Sequence, residues 1–70
     1  METTLINVVS RFAFYKIRRD GTDVIIRFGR MGTRGQTQVK SFADVRSAQF
    51  FLESKVEAKT MEGDYVLVAA

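Results

Sequence analysis

The apolar pattern of the chain changes period once, just after Phe42. Up to that point hydrophobic and polar side chains alternate, as they do along half-buried strands. Beyond it Val45, Ala48, Leu52 and Val56, with Phe51 and Ala58 alongside, recur at every third or fourth position, while Arg46, Glu53, Glu57 and Lys59 fall on the other side. A chain with this order builds a sheet first and lays an amphipathic helix on it afterwards. Asp44 is placed to cap the helix start and Gly63 to stop it about five turns later. The expected fold class is α+β: a small antiparallel sheet of three to five strands with one amphipathic helix packed on one face.

The strands can be taken in turn. Leu5-Ile6-Asn7-Val8-Val9 is rich in branched residues and suits a strand at the sheet edge or an ordered arm, so residues 1–11 are assigned to that role. Phe12 to Arg18 alternates cleanly, with Ala13, Tyr15 and Ile17 on one face and Phe12, Phe14, Lys16 and Arg18 on the other. Arg19-Asp20-Gly21-Thr22 is a hairpin turn, because glycine supplies the positive φ that a tight reversal needs. Asp23 to Gly29 follows with Val24, Ile26 and Phe28 facing the core. Gln36 to Phe42 is mostly polar, which leaves one side of the sheet in water. Tyr65-Val66-Leu67-Val68 forms a last short strand or docked tail. With no repeat, no low-complexity tract and no proline, residues 1–70 form a single domain.

Phe28-Gly29-Arg30-Met31-Gly32-Thr33-Arg34-Gly35-Gln36 joins two of these strands. Glycines here serve turns, but a glycine backbone also lets N–H groups approach a phosphate, and Arg30 and Arg34 add charge and forked donors. The loop fits neither the phosphate loop of the NTPases, since no Gly-Lys-Ser/Thr follows, nor the dinucleotide fingerprint, since a strand follows where a helix is required. Residues 11–40 hold eight basic and two acidic side chains, a net +6, against three basic and six acidic in the remainder, a net −3. A chain so polarised presents one positive surface to a polyanion although its overall charge is only +3.

Other chemistries are limited by what is missing. With no cysteine and no histidine, disulfides, the usual zinc sets and histidine-based catalysis are excluded, and no metal or cofactor is expected. No carboxylate pair suggests acid–base work and no nucleophile has a base, so the chain is not expected to be an enzyme. No apolar run reaches the ~18 residues of a membrane span and the first residues lack the pattern of a signal peptide, which points to the cytoplasm and away from membranes.

Tyr15 on an aromatic strand, the run from Ile26 to Gln36, Lys40-Ser41-Phe42, a capped helix containing Ala48, and Glu57-Ala58-Lys59-Thr60 before a terminal aromatic together resemble a WGR domain. The resemblance covers about residues 12–65. The family is named for a Trp-Gly-Arg triplet and occurs in DNA-dependent poly(ADP-ribose) polymerases and in small or fused bacterial modules. Position 28 carries Phe where the family has Trp, which keeps a flat apolar face but loses the indole N–H. The polymerase relatives bind DNA near strand breaks, so the resemblance implies a nucleic-acid-binding module, for DNA rather than RNA, that touches phosphates without reading base sequence. The expected contact set is Phe28, Gly29, Arg30, Gly32, Arg34, Gly35, Gln36 and Lys40. A protein-interaction or regulatory module, using the helix or the open sheet face for a protein partner, is the competing expectation.

Overall fold

The computed structural model describes residues 2–7, 12–63 and 65–69. Its elements are β1 (Glu2–Asn7), β2 (Ala13–Asp20), β3 (Asp23–Arg30), β4 (Gln36–Ser41), α1 (Val45–Met61) and β5 (Tyr65–Ala69). The strands form one sheet in the order β4-β3-β2-β1-β5, every neighbouring pair antiparallel. The fold is therefore α+β, with five strands and a single helix among the described residues.

The β2–β3 hairpin closes at Gly21-Thr22 with Asp20 opposite Asp23. Only the first of the two turn residues needs positive φ, and Gly21 supplies it at +65°. Register then follows from pairing: Tyr15 faces Phe28, Ile17 faces Ile26 and Arg19 faces Val24. These side chains share the face that α1 covers, and Leu5, Ile17, Val24, Ile26 and Ala48 are almost wholly removed from water. Phe51, Leu52 and Val56 pack down from the helix onto this core, each contributing up to ~1.5–3 kcal/mol according to how completely it is buried. Alanine at position 48 lets the helix backbone come close where it crosses the sheet.

The helix ends as its sequence requires. Asp44 Oδ1 accepts from the Ser47 N–H at 2.7 Å, and this bond holds the Asp44 carboxyl below the usual carboxylate range. Gly63 takes φ +85° and donates its N–H to the Thr60 carbonyl at 3.2 Å.

Three expectations need correction or relocation. β1 is not at an edge: it lies between β2 and β5, with Leu5 opposite both Tyr15 and Leu67. The edge is taken by β5, and a pairing between the two ends of the chain leaves no local signal in either sequence. Val8 and Val9 fall outside the described residues. Val45 and Ala58, expected in the apolar stripe, are exposed; Val45 is 48% exposed at the first turn of α1, where the helix overhangs the sheet. Lys59, expected on the solvent side, instead lies back over the sheet between two tyrosine rings.

Candidate nucleic-acid interface

The glycines of the β3–β4 connection divide by purpose. Arg30 to Thr33 is a turn closed by the Thr33 N–H on the Arg30 carbonyl at 3.1 Å, with Gly32 at φ +89° in the position that a type II turn reserves for positive φ. Gly29 and Gly35 serve close approach. A methyl group added to Gly29 would stand 2.6 Å from Cα of Gly35, and one added to Gly35 would collide with the Phe28 carbonyl and the Phe14 ring. The returning chain is thus laid flat on β3, and the space beside these two glycines is filled by protein. Gly32 has open space beside it, and among the described residues its N–H donates to no other backbone group.

On the helix side, β2, β3 and the second half of α1 enclose a groove of about 480 Å³. Phe14, Tyr15, Phe28 and Tyr65 form its aromatic lining, and Arg30, Lys55 and Lys59 bring three cations to it. Tyr15 and Tyr65 meet edge to face, centroids 6.3 Å apart at 73°. The Lys59 ammonium sits 5.1 Å from one ring centroid and 5.0 Å from the other, a geometry in which both ring faces attract it. Burial, and after it the neighbouring Tyr65, pushes the Tyr15 phenol up, so Tyr15 stays neutral beside Lys59. The groove is therefore apolar at its floor and positive at its rim.

The family model of the WGR domain matches residues 3–68. The chain belongs to the WGR family. Its members are in general nucleic-acid-binding modules, not catalytic domains. A solved crystal structure of a protein from Bacteroides fragilis is 33% identical, with a TM-score of 0.83. The alignment covers 99% of this chain and 20% of that longer one. No protein of curated function matches.

In this WGR domain the signature triplet is Phe28-Gly29-Arg30, at the end of β3. Phe28 is half-buried: it packs against the core beneath α1 and lines the groove with its remaining surface. Arg30 stands on the same face as Phe28, two residues on, and is exposed. The expected contact set is not one surface. Phe28, Gly29 and Arg30 meet at the groove. Gly32 lines a separate recess on the opposite, helix-free face, while Arg34 projects from the loop. Lys40 pairs with Val24, and Gln36 with Phe28, so Lys40 lies four residues down β4, about 13 Å from Gln36.

Sequence reasoning missed the helix side of the groove. Lys55 and Lys59 are spaced by four on α1 and so share a helix face, the signal that could have found them. Tyr15 and Tyr65 carried no such signal, because their meeting depends on β1 bridging β2 and β5. Among the described residues no cluster of acidic side chains is arranged to hold a metal ion, and no helix is long and apolar enough to cross a membrane.

Proposed function

We propose that this WGR domain binds DNA through its phosphates, at the mouth of the groove and along the β3–β4 connection, without reading base sequence. The observation that carries this reading is the state of its cations. Arg30, Arg34 and Lys40 are exposed, and among the described residues none of them pairs with a carboxylate. Exposed cations left without counter-charges contribute little to folding but a great deal to polyanion binding. The loop N–H groups around Gly32 and Gly35 add donors, Gln36 a side-chain amide, and Phe28 an apolar surface for a sugar or base.

Three phosphate contacts at the groove and loop contribute about −2.7 to the slope of log K against log[salt] on duplex DNA. Titration of nicked duplex, blunt duplex, single-stranded DNA and RNA across a salt series measures it. Arg30→Ala and Arg34→Ala should each flatten the slope by ~1 while melting within ~0.5 kcal/mol of the parent. If both variants stay folded and bind every nucleic acid as the parent does, the assignment is wrong.

A second reading, a protein-interaction module, is favoured by one observation. Phe50 is 72% exposed beside Phe42 and Phe51, around a shallow recess of about 500 Å³ at the first half of α1. A flat salt response, with the arginine variants equal to the parent, would move the function to this patch.

A further inference from the structure

The sheet face turned away from α1 has a charge arrangement of its own. Register places Thr4 opposite Lys16, Lys16 opposite Arg27 and Arg27 opposite Thr37, so four side chains run in a row across β1, β2, β3 and β4. Strands are spaced by ~4.8 Å, which makes the row about 14 Å long. Two cations directly opposite each other on antiparallel strands repel. Both sit over one ring, the Lys16 ammonium 5.8 Å and the Arg27 guanidinium 5.5 Å from the Phe14 centroid. That ring attracts them but neutralises neither. Among the described residues no carboxylate pairs with them. Arg18, the next cation on this face, has Glu2 opposite, and Asp20 and Asp23 lie at the hairpin end, about 13 Å from Lys16 and Arg27 along their strands.

Beside the two cations a recess of about 320 Å³ opens between the sheet and the loop, where Gly32 and Thr33 form its far wall. Phe14, only 7% exposed, is its floor. A buried ring cannot stack on a base, so the recess suits a charged group held over it. A row of hydroxyl, ammonium, guanidinium and hydroxyl offers donors throughout and carries no negative charge.

We infer that the helix-free face is a second nucleic-acid contact, on which the Thr4–Lys16–Arg27–Thr37 row holds a sugar–phosphate backbone segment distinct from the one at the groove. The inference rests on the nucleic-acid reading above and extends it to the other side of the sheet. Lys16 and Arg27 each neutralise one phosphate, and the bound backbone relieves their mutual repulsion.

The test compares the parent, Lys16→Gln with Arg27→Gln, the charge-keeping pair Lys16→Arg with Arg27→Lys, and Arg30→Ala with Arg34→Ala. Each is titrated with single-stranded and nicked duplex DNA across a salt series, with melting followed in parallel. The glutamine pair should melt no lower than the parent, lose about tenfold in affinity near 0.1 M salt and flatten the slope by ~1.8 on nicked duplex and ~1.4 on single-stranded DNA. The charge-keeping pair should retain the parent slope. If the loop variants weaken binding while the glutamine pair keeps the parent affinity and slope, the second contact does not exist and the groove reading stands. Failure of the charge-keeping pair to restore binding would also overturn it, since charge would not be the acting property. If the parent binds no nucleic acid at all, both readings fall.

Discussion

Phe12 is the one residue other than glycine, among those described, that takes positive φ, at +49°. Its ring is 64% exposed, so it gains little from packing in return. The conformation is imposed by the start of β2, where the Phe12 carbonyl accepts from the Met31 N–H at 2.8 Å and fixes the base of the β3–β4 connection to the first strand of the hairpin. A left-handed backbone crowds Cβ against the following carbonyl in any L-residue, and least in asparagine, whose short side chain bonds locally. Phe12→Asn should therefore stabilise the domain by about 0.5–1 kcal/mol, read from urea denaturation with an unchanged slope. A variant no more stable than the parent would mean that the backbone there carries no strain.

The helix is the element on which the sheet depends, because the buried cluster of Leu5, Ile17, Val24 and Ile26 lies on the face that α1 covers. Phe51 packs against Phe42 with centroids 5.1 Å apart, and Leu52 and Val56 reach the core beside it. Phe51→Ala should cost about 2–3 kcal/mol, below the range for a wholly enclosed ring because Phe51 is only partly buried. Thermal or chemical denaturation checks it, and a variant that melts like the parent would mean that the helix sits in another register. α1 was legible from sequence because its period, cap and stop all agree, and the β2–β3 hairpin because Asp20-Gly21 lies between alternating runs. The place of β1 was not legible, since alternation says which residues share a face but not which strand lies alongside. The candidate site divides in the same way. The loop announced itself through its glycines and arginines, whereas the groove lined by Lys59, Tyr15 and Tyr65 and the Lys16–Arg27 row exist only once register is known.

At the scale of the whole molecule the domain is a thin slab, 36 × 24 × 16 Å, with one layer of sheet and one helix. Positive charge faces outward on both sides of the sheet, through Arg30 on the helix side and Arg27 on the other, and Asp20 and Asp23 lie at the far end of the hairpin. The antiparallel pairing of β1 with β5 sets Thr4 opposite Ala69, and this adjacency decides how the fold can be wired. A unit whose first and last strands are side by side can interrupt a surface loop of another protein without prising that loop apart, or can be closed into a ring and reopened elsewhere. A permutant with its ends joined by a short glycine linker and a new break at Gly21-Thr22 should fold, melt within a few degrees of the parent and keep the same salt slope on DNA. Collapse of that permutant would show that the hairpin turn must form first for the strands to find their order. Its survival would make the present chain order one of several routes to the same slab, and the two-sided cationic surface a property of the sheet that does not depend on where the polypeptide happens to start.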